Sequence, residues 1–319
     1  MTGNVVSRIR STLRAKTLRK WSSALTGGAL LATTLTAVTP AAQAVERSAT
    51  TATAAATAAP PAGRYVALGD SYAAGAGIPA LSGGLCLRSD RNYGRVVAAA
   101  LASSSYQDKT CTGAKVAALT TAQTDLGIVV NSPQLDAVTR DTALVTVTIG
   151  GNNIGTSDLG FVDVVAACAA LAVTNPFGAP CRAAYGDTLG KRLDSAAAQL
   201  SDGLRKIHAK APNARVLVVG YPSVLPDDPK RCLGKLPITT GDLAYLRSTL
   251  GELNDKTARA AAANAATYVD TLTPTKGHDT CSSQPWIEGL LPTRPALPLH
   301  PNATGERVMA EAVLNTLGR

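Results

Sequence analysis

Beyond residue 63 the chain carries apolar runs of strand length: Tyr65-Val66-Ala67-Leu68, then Ala143 to Ile149, then Ala214 to Gly220, and finally Thr267-Tyr268-Val269-Asp270. Val216-Leu217-Val218-Val219 has no polar alternation, which is the pattern of a strand buried on both faces of a parallel sheet. A further strand is expected near Cys111. Between the runs lie helical patterns. Tyr93, Val96, Val97, Ala100 and Leu101 share one face across Asn92 to Ser103, and segments 191–211 and 242–266 read as helices. Val308, Ala312, Val313 and Leu317 repeat at helical spacing at the C-terminus. Strands that alternate with helices predict an α/β fold, a three-layer α/β/α sandwich with a mainly parallel central sheet.

The first 62 residues do not fit this pattern. Arg8, Arg10, Arg14, Lys16, Arg19 and Lys20 precede an apolar stretch from about Ala24 to Val38, and Ala42-Gln43-Ala44 offers small residues for cleavage. Residues 1–44 therefore read as a secretory signal peptide and the protein as secreted. The apolar stretch is diluted by Thr and Gly and falls short of the ~18 residues of a spanning helix. With no twin arginine, the general secretory route is expected. Residues 45–62 form an Ala/Thr/Pro-rich spacer with too few large apolar groups to pack. One domain, 63–319, remains, with no second linker and no internal repeat.

Charge then excludes one class of partner. The chain has 31 Lys and Arg against 22 Asp and Glu, a formal +9, but six of those cations lie in the leader, so 25 − 22 leaves +3 for the rest. With scattered charge and only 4% aromatic residues, nothing builds a basic stacking surface, and no nucleic acid partner is expected.

Candidate chemistry lies at the ends of the strand runs. Gly69-Asp70-Ser71-Tyr72 follows the first run directly and presents a hydroxyl where parallel sheets place their chemistry. The same residues are also turn chemistry wherever they occur. Three later segments complete a set. Cys111-Thr112-Gly113-Ala114 offers the Gly113 N–H to an oxyanion, and Gly150-Gly151-Asn152-Asn153, after the 143–149 run, offers the Asn152 amide. Leu299-His300-Pro301-Asn302, just before the last helix, offers a base. A Gly-x-Ser-x-Gly elbow is absent, since Ala73 stands where its second glycine belongs.

In order and spacing these four segments resemble the blocks of the SGNH (GDSL) hydrolase family, over nearly all of the chain beyond residue 63. The likeness is strongest to its secreted three-disulfide esterases and lipases, with Gly277-His278-Asp279-Thr280-Cys281 and Gln284-Pro285-Trp286-Ile287 as supporting matches. The resemblance implies a Ser71 nucleophile, His300 as base, and an oxyanion hole of Ser71 N–H, Gly113 N–H and Asn152. An even count of six cysteines in an exported chain argues for disulfides and by itself allows 15 pairings. Neighbour pairing, Cys86–Cys111, Cys168–Cys181 and Cys232–Cys281, is what the resemblance implies. The first bridge would hold the loop that carries Gly113.

The pattern departs from the family at two positions. Leu297 stands where the family usually has an aspartate that orients the histidine, so a backbone carbonyl, that of Leu297, is expected to fix the tautomer, as in members that work as dyads. Asp279, Asp270 and Glu288 remain open as carboxylates brought in by the fold. Asn153 replaces a common aspartate, and an asparagine can supply one acceptor oxygen in its place. Of the other histidines, His208 sits in a basic helix end and His278 in a loop, and neither is given a catalytic role.

The expected reaction is hydrolysis of carboxylic esters through an acyl-enzyme, with no cofactor and no metal. A polysaccharide O-deacetylase and a non-catalytic exported binding protein are the alternatives. Expected partners are a small-molecule or lipid ester and transient contact with a lipid surface, the protein itself being a monomer. Trp286 to Leu291 either lines an acyl groove or belongs to the core.

Overall fold

The first apolar run is strand β1 (Arg64–Gly69), and Asp70 caps the short helix α1 (Ser71–Ala74) that leaves it. There follow β2 (Leu81–Ser82), β3 (Arg88–Ser89), α2 (Tyr93–Ala100), β4 (Ser105–Asp108), a hairpin of β5 (Gln123–Asp125) and β6 (Ile128–Asn131), and β7 (Thr142–Thr148). The second half contains α3 (Phe161–Ala172), α4 (Pro180–Tyr185), α5 (Thr188–Lys210), β8 (Arg215–Val219), α6 (Thr240–Ala263), β9 (Thr267–Val269), α7 (Leu272–Thr275) and α8 (Ala303–Leu317). This computed structural model describes residues 63–157 and 160–319. The signal peptide and spacer read from the sequence lie outside the described residues.

The central sheet has five strands in the order β4-β1-β7-β8-β9, all parallel. Alternate residues of β1 face opposite layers. Tyr65 and Ala67 pack with Val97 of α2 and with Met309 and Val313 of α8. Val66 and Leu68 pack with Leu200, Leu204 and Ile207 of α5 and Ala260 of α6. The three-layer expectation is met, and the reason is that every inner strand buries both faces. Burying each Leu, Val or Ile side chain contributes ~1.5–3 kcal/mol.

Because β4 lies on one side of β1 and β7 on the other, the chain reverses direction across the sheet at β1. A crevice outside the strand ends is the expected ligand position in such sheets. A third apolar cluster closes over that crevice. It is built from residues that follow strand ends, Tyr72, Ile154 and Tyr221, together with Phe161 and Val165 of α3, Leu250 of α6, and Leu299. Helix α3, whose buried Phe161, Val164, Val165 and Cys168 repeat at helical spacing, and α4 contribute to it together with α5 and α6, and neither α3 nor α4 is among the elements predicted above. Two disulfides, Cys168–Cys181 and Cys232–Cys281, lie within it. The third, Cys86–Cys111, joins the segment after β2 to the loop after β4. A disulfide typically contributes ~2–4 kcal/mol, mainly by restricting the unfolded chain.

Candidate active site

Ser71 is the first residue of α1 and only 5% exposed. Three local features fix it. Asp70 Oδ1 accepts the Tyr72 N–H at 2.9 Å, which caps the helix. Gly69 has φ +141°, and a Cβ there would meet the Thr148 carbonyl oxygen at 2.3 Å, so only glycine lets β1 end against β7 in this way. Buried Gln134 clamps the same residue, its Oε1 accepting the Gly69 N–H at 2.7 Å and its Nε2 donating to the Gly69 carbonyl at 2.9 Å.

The histidine expected as the base comes from the other end of the chain. His300 Nε2 lies 2.7 Å from Ser71 Oγ. Its Nδ1 lies 2.8 Å from the Pro298 carbonyl oxygen, which only accepts, so Nδ1 carries the proton and Nε2 is free to take one. The carbonyl expected from the sequence was that of Leu297. That oxygen instead accepts the backbone N–H of His300 at 3.1 Å. Leu299 adopts φ +63°, a left-handed turn, and the Pro298 carbonyl is the one that meets the ring.

No carboxylate bonds to the imidazole among the described residues. Asp279 accepts from Cys281 N–H and faces Arg231, and Asp270 accepts from the N–H groups of Leu272 and Thr273. Glu288 is buried behind the histidine and accepts from Asn302 Nδ2, from the Thr293 N–H and hydroxyl, and from Arg294 N–H. Burial pushes its carboxyl up, but those bonds outweigh it and hold Glu288 below the ordinary value. Its own backbone braces the base loop, with Glu288 N–H donating to the His300 carbonyl at 2.9 Å. Asn302 caps α8 through Thr304 and Gly305, which sets where the chain goes immediately after His300.

Two loops supply donors. No acceptor among the described residues takes the N–H of Gly113 or of Ser71, the latter being a first-turn helix N–H with no partner inside its helix. The Gly113 loop is tied down on both sides: the Thr112 N–H and hydroxyl donate to the Cys86 carbonyl, and Gln123 Nε2 donates to the Thr112 carbonyl at 2.7 Å. Asn152 follows β7, and its Nδ2 donates one hydrogen to the Ala114 carbonyl at 3.0 Å, leaving a second. Gly160 packs so tightly on Asn152 that a Cβ would fall 2.1 Å from Oδ1, and φ is +57° there. Asn153 accepts the Val116 N–H at 3.0 Å, so an amide oxygen suffices at that position.

These groups meet in one cavity of about 300 Å³. Ser71, Gly113, Asn152 and His300 all line it, and Phe161, Val162, Leu250, Leu297 and Pro298 form an apolar wall. None of Trp286 to Leu291 lines it: Ile287 is core and Leu291 is 88% exposed. His278, open between a structural loop residue and a lining of the binding cleft, does not line this cavity and stacks on Trp286 with ring centroids 3.4 Å apart. His208 lies in the last turn of α5.

Other residues of the cavity had no warning in sequence. Tyr221, just after β8, donates its hydroxyl to Asp70 Oδ2 at 2.5 Å and accepts the Gly151 N–H at 2.7 Å, linking the serine turn to the Asn152 turn. Burial raises Asp70 to about 7 against the opposing bonds from Tyr221 and Tyr72. Burial also holds His300 down at about 4, with the bond to Pro298 acting in the other direction. His300 is therefore neutral, and able to accept a proton, throughout the neutral range. The acid limb of kcat/KM reports the free enzyme's base. It should lie near pH 4, and any inflection that Asp70 adds near 7 should be a partial change of the plateau above it. A profile that falls to zero with its midpoint near 6.5, the value of an ordinary imidazole, would contradict this assignment. Asp70 titrates near neutrality and so alters the plateau, not that limb.

The sequence of residues 67–308 matches the model of the GDSL-like lipase/acylhydrolase family. "Lipase 2" of Streptomyces coelicolor is 41% identical over 262 residues, covering 80% of this chain and 85% of that protein. Among solved structures, a phospholipase A1 from Streptomyces albidoflavus is 29% identical with a TM-score of 0.63, covering 80% of this chain and 99% of that one. An extracellular lipase from Streptomyces rimosus is 27% identical with a TM-score of 0.61, over 80% of this chain and 100% of that one.

Proposed function

The chain belongs to the GDSL-like lipase/acylhydrolase family, and from that premise we propose that it is a secreted esterase or lipase that cleaves carboxylic esters through an acyl-enzyme on Ser71. The observation that carries this reading is the 2.7 Å contact between Ser71 Oγ and an Nε2 whose tautomer is already set for accepting a proton. As Oγ bonds to the ester carbonyl carbon, its proton passes to Nε2. The negative charge that gathers on the carbonyl oxygen is met by the N–H groups of Ser71 and Gly113 and by the Asn152 amide. The tetrahedral carbon then expels the alkoxide, which takes the proton from His300 and leaves as the alcohol. Water, deprotonated by the same Nε2, attacks the acyl-enzyme, and Ser71 leaves with the proton regained.

The wall of Phe161, Val162, Leu250, Leu297 and Pro298 suits an aliphatic acyl chain and offers few partners to a sugar ring. This favours a lipid-like ester, handled with transient contact to a lipid surface, over a polysaccharide deacetylase. The relatives named lipase and phospholipase A1 point the same way. A purely binding role has no use for a serine and histidine held at hydrogen-bond distance. Three disulfides suit an oxidising compartment and hence export. A p-nitrophenyl ester series from acetate to palmitate tests the substrate class. We expect kcat/KM to peak on medium or longer acyl chains. A maximum at acetate would point to a deacetylase, and folded protein with no turnover on any ester would overturn the reading.

A further inference from the structure

With no carboxylate on the imidazole among the described residues, one hydrogen bond to a proline carbonyl is a weak means of holding it against a serine, and Tyr72 is the other group that packs on its ring. Its ring lies against the His300 ring, centroids 4.6 Å apart and planes inclined at 32°. Its hydroxyl donates to the Leu299 carbonyl at 2.6 Å. Leu299 is the residue in the left-handed conformation, sparsely populated by side chains like leucine, so the turn that aims the base needs outside bonds to persist. The Leu299 N–H is held by the Glu288 carbonyl at 3.1 Å, and its carbonyl by Tyr72.

Tyr72 is itself anchored at both ends. Its N–H is fixed by Asp70, and its ring rests on the edge of Tyr221, centroids 5.1 Å apart at 74°. Tyr221 is held by the Asn254 side chain, which accepts from its N–H at 2.8 Å and donates to its carbonyl at 2.9 Å.

We propose that Tyr72 is the positioning residue of the Ser71–His300 pair: its hydroxyl holds the Leu299 turn, and its ring face orients the imidazole and stabilises the imidazolium formed when Ser71 gives up its proton. A cation over an aromatic face within about 6 Å is attracted by the ring quadrupole, the more so when water is excluded. The groups that face His300 are Ser71 and Tyr72 from α1 and the Pro298 carbonyl of its own loop. The nearby carboxylates are engaged elsewhere: Asp70 with Tyr72 N–H and Tyr221, Glu288 with Asn302, Thr293 and Arg294. Tyr72 is thus the aromatic face at which the new positive charge is met.

This inference rests on the acyl-enzyme reading, so the test runs Tyr72→Phe and Tyr72→Leu beside wild type and Ser71→Ala on one p-nitrophenyl ester. Losing only the hydroxyl, Tyr72→Phe should lower kcat about 5-fold, leave KM within about two-fold and leave the acid limb in place. Tyr72→Leu should lower kcat about 50-fold, again with KM little changed, and should shift the acid limb of kcat/KM to lower pH because the imidazolium has lost its partner. Loosened packing alone would admit water and move that limb up, towards an ordinary imidazole, so an upward shift overturns the proposal. So does a loss confined to KM, or a kcat within two-fold of wild type in both variants. Should Tyr72→Leu not fold, Tyr72→Phe decides by itself: an unchanged kcat overturns the proposal. Turnover that survives Ser71→Ala overturns the acyl-enzyme reading and this inference with it, whereas turnover lost in Ser71→Ala but intact in both Tyr72 variants overturns this inference alone.

Discussion

Ser71→Ala should lower kcat by on the order of 10⁶-fold, His300→Ala should do nearly the same, and the double variant should be no slower than either single one. The reason is that the two side chains act as one unit. The serine hydroxyl is a poor nucleophile until Nε2, 2.7 Å away, takes its proton, and Nε2 has no positioned nucleophile to activate once the hydroxyl is gone. What remains in each variant is binding and the oxyanion donors, which leave a residual ~10³–10⁴-fold over water in related enzymes. KM should change little, because neither side chain holds the acyl chain. Kinetics of the two single variants and the double variant check this. Losses that multiply in the double variant would mean that the residues contribute independently, and that the 2.7 Å contact is not the reacting pair.

Asn152→Ala should lower kcat by ~10²–10³-fold with KM within about two-fold, the size of effect seen when one oxyanion donor is removed elsewhere. The amide has two hydrogens on Nδ2, and one is spent on the Ala114 carbonyl at 3.0 Å. That bond fixes the side chain so that the second hydrogen faces the cavity, of which Asn152 is a lining residue. Gly160 lies beside the amide, where any larger residue would collide with Asn152 Oδ1 and displace it. The donor is thus set before substrate arrives, which is why it acts on the transition state more than on the ground state. Asn152→Asp should be worse than alanine, since it places an acceptor where negative charge develops. A loss that appears in KM instead of kcat would assign Asn152 to substrate binding.

How much of this was legible in the chain depends on whether the signal was local. Strands β1, β7 and β8 stand out because a parallel sheet covered on both faces demands unbroken apolar runs. Ser71, Gly113, Asn152 and His300 could be marked because each lies in a short segment beside a strand end or a helix start. The carbonyl at His300 was placed one residue early, since the left-handed turn at Leu299 cannot be read from a leucine. Tyr72 stood inside the first motif, but its partner Leu299 is 227 residues away, so nothing near it announced the contact. The same holds for Gln134 on Gly69 and for Tyr221 on Asp70, which are single polar or aromatic residues with distant partners. The apolar wall had the least warning. Phe161 and Val162 lie at the start of α3, Leu250 lies inside α6, and only the fold brings them beside Leu297 and Pro298. The run Trp286 to Leu291 stood open between groove and core, and the structure puts Ile287 and Glu288 in the core, with Trp286 and Glu288 bracing the base loop.

The most direct test of the central claim is covalent labelling of the folded protein by a p-nitrophenyl alkylphosphonate, read by intact mass and peptide mapping, in wild type and in His300→Ala. One phosphonyl group on Ser71 with release of one p-nitrophenol, and labelling that is lost or strongly slowed in His300→Ala, is the predicted result. An adduct on another residue, or ester turnover that continues with Ser71 unlabelled after prolonged exposure, would contradict the assignment of Ser71 as the nucleophile activated by His300.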